Sequence, residues 1–236
     1  LKTARKTTIA SPTWKKDLES IGAQNVDVIF WGYDEQEFQK TEQKLDTKFS
    51  ITHAGLLGFD RLPEILFKIL GELKAENPQF AADLKIDFPG SVDYSIVEEL
   101  KRNNLFENAW LPGNISRTNA IERTFNSQIL LLPLNKAENA EGRIPGKLFE
   151  CMRAKRPILC LGPETSDVKT ILESTKTGLS LQYDDYDGLK AFITDKYNLF
   201  LTNKNIITPI DLEQYSVKNQ TAKIAKYLNS ITQQQS

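Results

Sequence analysis

The densest concentration of residues that could do chemistry is Pro145-Gly146-Lys147-Leu148-Phe149-Glu150, at the end of a long polar stretch that follows the apolar run Ile129 to Leu132. Pro145 suits the first position of a helix, so the pattern predicts a helix over Lys147 to Arg153. Lys147 then falls in the first turn, where the positive end of the helix dipole disfavours a cation by a few tenths to about 1 kcal/mol. A phosphate held between that ammonium and the helix amides would account for it. Glu150 lies one turn further along the same face and can accept two hydroxyl protons from a ribose. The plainer reading is a surface ion pair between Lys147 and Glu150, worth about 0.5 kcal/mol or less. The residues alone leave both readings open.

Three other loops follow predicted strands. His53-Ala54-Gly55-Leu56-Leu57-Gly58-Phe59-Asp60-Arg61 carries glycines that let the backbone approach a ligand and an arginine whose fork suits phosphate oxygens; turn chemistry and a solvated arginine explain it equally well. Gly90 and Gly113 each stand just past a strand, ahead of Asp93 and Ser116, for which helix capping is a sufficient role. Gly90 is kept with Gly55 as a place where a ligand can meet backbone. Arg143, in the polar stretch before Lys147, is a further cation within reach of the same edge.

The elements that must position these residues alternate. Strands are predicted at Thr7 to Ala10, Val26 to Phe30, Phe49 to Ala54, Leu84 to Phe88, Ala109 to Leu111, Ile129 to Leu132, Pro157 to Leu161 and Gly178 to Gln182. Helical patterns follow most of them, at Thr13 to Ile21 after the helix entry Ser11-Pro12, Leu62 to Leu73, Ser95 to Arg102, Thr118 to Phe125, Lys147 to Arg153, Val168 to Ser174 and Leu189 to Phe200. Such alternation predicts a doubly wound, Rossmann-like and mainly parallel sheet, in which ligands bind beyond the carboxyl ends of the strands. Ile129 to Leu132 and Ile158 to Leu161 are apolar at successive positions, as strands buried on both faces should be. The charged stretch Asp34 to Lys48 suits a linker or a solvated helix.

Composition narrows the function classes. A net charge of -1 over 236 residues provides no global field for nucleic acid or an anionic membrane. Cys151 and Cys160 have no metal spacing and read as buried, reduced thiols suited to a cytoplasm. The lone histidine, His53, reads as structural, and no metal site is expected. No run is long enough to cross a bilayer, and the absence of an initiator methionine suggests a piece of a longer chain.

Together these segments resemble family 4 glycosyltransferases of the two-domain GT-B fold, in particular the C-terminal nucleotide-sugar-binding domain of bacterial group-1 type enzymes. Val28-Ile29-Phe30-Trp31-Gly32-Tyr33-Asp34 is similar to the segment that joins the two domains. Gly55 to Arg61 resembles the loop that holds the donor diphosphate. Pro145 to Glu150, followed by Arg156-Pro157-Ile158-Leu159, resembles the segment whose glutamate grips the ribose. The chain departs from the family in carrying Leu56 where an arginine is usual, and Gly142 where the first of two glutamates separated by seven residues is usual.

The resemblance implies that residues 1–33 are the tail of an acceptor domain and the connection from it, 34–48 a linker, 49–214 the donor domain, and 215–236 a crossover helix and tail. It implies a retaining hexosyltransferase that moves a sugar from a nucleoside diphosphate to a hydroxyl during cell-surface polysaccharide synthesis, without a cofactor or required metal. The acceptor, a glycan or lipid-linked group, would bind through the missing domain, leaving this fragment inactive by itself, and the enzyme would be cytoplasmic or peripheral at the inner membrane face. The implied donor contacts are Gly55, Arg61, Gly90, Arg143, Gly146, Lys147, Leu148 and Glu150, with no assignable catalytic base. A nucleotide-sugar epimerase of the same architecture and a non-catalytic nucleotide-sugar-binding domain are the rival expectations.

Overall fold

The computed structural model describes residues 3–38 and 44–233. The chain opens with a parallel pair, β1 (Thr7–Ile9) and β2 (Val26–Val28), connected by α1 (Pro12–Ser20). Ser11 starts α1 by accepting from the Trp14 amide, with Pro12 in its first turn, as the sequence predicts. A short helix, α2 (Glu35–Phe38), follows.

The main sheet is built from β3 (Phe49–Thr52), β4 (Leu84–Asp87), β5 (Ala109–Trp110), β6 (Ile129–Pro133), β7 (Ile158–Leu161) and β8 (Gly178–Leu181), all parallel. Its helices are α3 (Glu64–Glu76), α4 (Pro78–Asp83), α5 (Tyr94–Arg102), α6 (Arg117–Asn126), α7 (Lys147–Arg153), α8 (Asp167–Thr175) and α9 (Tyr186–Leu201), and α10 (Val217–Gln233) returns to the opening unit, where Gln220 accepts from the Phe30 amide. Strand order is β5-β4-β3-β6-β7-β8, so the winding reverses between β3 and β6. This is a Rossmann-like, doubly wound parallel sheet.

Two apolar layers cover the sheet, and the period of two along its strands divides side chains between them. Leu131, Leu159 and Leu161 face a core with α3, α4, α5 and α9, whereas Leu130, Leu132, Ile158 and Cys160 face one with α6, α7 and α8. Every residue of β3, β6 and β7 is buried, which explains their unbroken apolar or small-polar text. The opening unit is joined to this body at several places. Tyr33 pairs its backbone with Tyr215 and Val217, Phe30 and Tyr215 pack with Phe149, and Asp167 accepts from Ser11 Oγ at 2.5 Å and from Thr13 Oγ1 at 2.9 Å.

Three local expectations need correction. Pro145 is not the first helical residue: α7 begins at Lys147, with the Leu148 amide donating to Pro145 and the Phe149 amide to Gly146, a tighter first turn. The helix α4 is an addition, started by Asn77, whose side chain accepts from the amides of Gln79 and Phe80. The polar stretch after Tyr33 is not wholly solvated, because Phe38 is buried against Phe125 and Tyr33. Residues 39–43 of that stretch lie outside the described residues.

Candidate functional site

Reversal of the winding between β3 and β6 opens a crevice at their carboxyl ends, and the loops predicted to carry chemistry meet there. The loops after β3, β4 and β5 continue the parallel pairing beyond the strands. His53 N donates to Asp87 O at 2.9 Å, Gly55 N to Pro89 O at 2.6 Å, Leu57 N to Ser91 O at 2.9 Å, and Gly90 N to Gly113 O at 2.8 Å. Gly55 and Gly90 hold φ values of +123° and +132°, which only glycine adopts readily. A Cβ on Gly90 would strike the backbone of Gly55, and a Cβ on Gly55 would strike the ammonium of Lys147. These glycines thus let two loops and a lysine occupy one small space.

On one side of Lys147 is a cavity of about 180 Å³ whose walls include His53, Arg61, Arg143 and Pro145. Arg61, Arg143 and Lys147 line it, and no carboxylate does so among the described residues. Arg61 donates Nη1–H to Leu56 O at 3.2 Å, while its buried Nε has no partner among the described residues. The side chains of Lys147 and Arg143 make no hydrogen bond or ion pair among the described residues, so three cations converge on this cavity. Burial holds Lys147 below the ordinary lysine range, with Arg61 and Arg117 adding to the depression and Cys151 and Glu150 opposing it. A site in this condition favours the arrival of an anion.

His53 serves the frame of this cavity. Its Nδ1 lies 3.0 Å from Leu131 O and its Nε2 3.2 Å from Leu56 O, bridging β6 and the loop after β3. Burial, then the charge of Lys147, lowers its pKa to about 4, so the ring is neutral at neutral pH.

On the other side of Lys147 lies a second cavity, also about 180 Å³, bordered by Gly55, Gly90, Ile115, Arg117 and Glu150, with Phe38 contributing to its wall. Lys147 lines both cavities and so marks their junction. Glu150 does not pair with Lys147. Instead Arg117 grips it with two bonds, Nη1 to Oε2 at 3.0 Å and Nη2 to Oε1 at 2.8 Å, and reaches Glu37 with Nη2 at 2.7 Å. Glu150 and then Glu37 raise the guanidinium's already high pKa.

The geometry therefore gathers Gly55, Arg61, Gly90, Arg143, Lys147 and Glu150 around two adjoining cavities. Leu148 is the exception: its side chain is fully buried in the core and its amide is used by Pro145, so it has nothing left to offer a ligand. Gly146 sits in the turn ahead of α7, beside Trp31. Arg117 was missed by the sequence reading, although a cation at the first residue of α6 offends the dipole as Lys147 does. Phe38 gave no comparable signal. Asp93 and Ser116 cap α5 and α6, as expected.

Gly142 has a structural explanation. A Cβ there would collide with the Trp14 indole and stand 2.9 Å from Ser11 Oγ, so no glutamate fits. Glu141 points to Thr165, whose hydroxyl donates to it at 3.0 Å. Among the described residues no group of three or more His, Cys, Asp or Glu side chains is placed to hold a metal. The thiols of Cys151 and Cys160 are free, buried and pushed up to about 12 by burial. No described helix is long and apolar enough to cross a membrane.

No protein-family description matches this sequence, and no curated protein matches it. Solved structures do match in fold. HepE of Anabaena, crystallised with UDP, superposes with a TM-score of 0.72 at 14% identity, over 96% of this chain and 64% of that one. A glycosyltransferase from Rickettsia africae gives 0.72 at 16% identity, over 96% and 63%. TarM of S. aureus, in a complex that contains UDP, gives 0.67 at 14% identity, over 95% and 43%. The chain thus spans roughly half to two thirds of the length of these structures. A UDP-N-acetylglucosamine 2-epimerase from Listeria monocytogenes, itself so described provisionally, shares the fold with a TM-score of 0.62 at 11% identity, over 98% and 60%.

Proposed function

We propose that this chain is the donor-binding half of a retaining glycosyltransferase that takes a sugar from a nucleoside diphosphate. The observation that carries the reading is the convergence of Arg61, Arg143 and Lys147, with no carboxylate among them, on a cavity at the switch point of the sheet. In this reading Arg61, Arg143 and Lys147 hold the diphosphate, Glu150 accepts from the ribose hydroxyls, and the cavity beside Gly90 and Ile115 takes the base. Charge builds on the diphosphate as the glycosidic bond breaks, and fixed cations in a partly dry site stabilise that charge without reorganising. They supply what a metal otherwise would, so the reaction needs none.

The opening unit and α10 belong, on this reading, with an acceptor-binding half that supplies the hydroxyl acceptor and the remaining catalytic groups. The fragment alone then binds donor without turnover. Cell-surface polysaccharide synthesis on the cytoplasmic side of a bacterial membrane is the setting that the family resemblance suggests.

The test is calorimetric titration with UDP, GDP and ADP, with and without magnesium. Selective, metal-independent binding of one diphosphate is expected, and absence of binding by all three at millimolar concentration would defeat the reading. A second reading, epimerisation, is favoured by the epimerase among the fold neighbours. It differs in outcome, since an epimerase returns an isomeric nucleotide sugar without any acceptor. A non-catalytic binding domain draws support from Leu56 and Gly142, and would leave the donor unchanged in the full-length protein.

A further inference from the structure

Arg117 occupies the first residue of α6 and lines the same cavity as Glu150. Its fork is used almost completely. Nη1 and Nη2 donate to the two oxygens of Glu150 at 3.0 and 2.8 Å, and Nε and Nη2 donate to the two oxygens of Glu37 at 3.4 and 2.7 Å. A carboxylate accepts about four hydrogen bonds, so two sites on Glu150 remain after Arg117 has taken two. That remainder matches the two neighbouring hydroxyls of a ribose.

Glu37 belongs to α2, and α2 is firmly seated. Phe38 is buried and stacks on Phe125 with ring centres 5.4 Å apart, while Arg153 pairs with Glu35 and lies over both rings. The guanidinium is therefore braced from a fixed point outside α7. A bidentate arginine restricts a carboxylate to one plane, whereas a glutamate on a short helix free of such a partner samples several rotamers. Repeated opening of exposed ion pairs weakens this constraint, but four bonds from one fork oppose it.

We infer that Arg117 is a positioning residue for the donor: braced by Glu37, it holds the Glu150 carboxylate in the orientation that receives the ribose 2′ and 3′ hydroxyls. This rests on the reading of Glu150 as the ribose contact. It extends that site to Glu37 and Arg117, neither of which lies in the loops that bind phosphate.

The test compares, by calorimetry, the tightest-binding of UDP, GDP and ADP with its 2′-deoxy form, in the unaltered chain and in four variants. The unaltered chain is expected to prefer the ribonucleotide about tenfold, the value of one well-made hydrogen bond. Arg117→Ala should lose most of that preference by weakening ribonucleotide binding more than binding of the deoxy form, which keeps only its 3′ hydroxyl for Glu150. Arg117→Lys, a point charge without a fork, should restore part of it, and Glu37→Gln should lose a smaller part. Because Arg117 is exposed at the surface, its variants should melt within a few degrees of the parent.

Unchanged preference in Arg117→Ala, with preference lost in Glu150→Ala, would overturn the positioning role and leave the ribose contact standing. Unchanged preference in Glu150→Ala would overturn the ribose contact itself, and the inference with it. Tighter ribonucleotide binding by Arg117→Ala would overturn the inference in the opposite sense, by showing that the arginine blocks Glu150. Failure of the unaltered chain to bind any of the three nucleotides would remove both.

Discussion

The ammonium of Lys147 lies against the Cα of Gly55, where a methyl group would collide with it. Gly55 and Gly90 are therefore expected to respond differently to alanine. At Gly55 the clash is with the end of a flexible side chain, so Gly55→Ala should displace the lysine and weaken nucleotide binding about tenfold, with the positive φ adding about 1 kcal/mol of destabilisation. At Gly90 the clash is with the backbone of Gly55, which cannot swing away, so Gly90→Ala should cost more, about 2–3 kcal/mol. Urea denaturation and nucleotide titration of both variants would check the contrast. Equal losses of stability would show that the loops repack more freely than their pairing implies.

Lys147 is held among cations, partly buried and with no hydrogen-bond or ion-pair partner among the described residues, a condition that disfavours its charge in the absence of ligand. Its depressed pKa means that the unfolded chain holds the proton more tightly, so stability should rise with pH as the folded-state group loses its proton, up to the unfolded value near 10.5. Lys147→Met removes the charge and keeps the stem. It is expected to melt at a higher temperature than the parent while binding nucleoside diphosphate at least tenfold more weakly, and thermal melts with and without nucleotide would separate the two effects. A variant that melted lower without ligand would show that the lysine stabilises the fold through a contact of its own.

Physical reasons divide what could be read from the sequence from what could not. β6 and β7 were legible because strands buried on both faces cannot carry charge, and helix starts such as Ser11-Pro12 and Ser116 were legible because their capping is local. Strand order was not, since pairing of β3 with both β4 and β6 depends on contacts remote in sequence. Lys147 and Glu150 were legible through the conflict of a cation with a helix dipole and the spacing of one turn. The partner of Glu150 was not, because Arg117 and Glu37 come from two other elements, and a single Phe38 among glutamates and glutamines carries no periodicity. Leu148 entered the site through the family resemblance, and its side chain lies in the core.

His53 provides an acid-sensitive joint under the cation cavity. The unfolded ring takes up a proton near pH 6.5, whereas the folded ring resists until about 4, first because it is buried and then because Lys147 stands nearby. Acid therefore favours the unfolded chain, and stability should fall from about pH 6.5 downward through about pH 4, by ~3 kcal/mol in all. His53→Gln should be less stable than the parent at pH 7.5, having lost the fitted ring, yet should show a flatter decline across this range. Urea midpoints at pH 7.5, 6, 5 and 4 measure it. Parallel decline in parent and variant would show that groups other than His53 set the acid sensitivity.

Gly142 stands beneath Trp14, whose helix is fixed by the bonds from Ser11 and Thr13 to Asp167. Gly142→Glu should therefore destabilise the chain, by about 2–3 kcal/mol from overpacking and from burying a charge beside an indole. Removing the indole should make room, so Trp14→Ala combined with Gly142→Glu is expected to lose less than the two single substitutions added together, a coupling of about 1 kcal/mol or more. Denaturation of the two single variants and the double variant closes the cycle. Additive losses would mean that the carboxylate escapes the indole in the single variant, and that steric conflict does not account for glycine at this position. A positive coupling would instead mean that the docking of α1 and the absence of a glutamate are one feature of this chain, so that, on the proposed donor-binding reading, contact with the sugar falls to groups other than a side chain at 142.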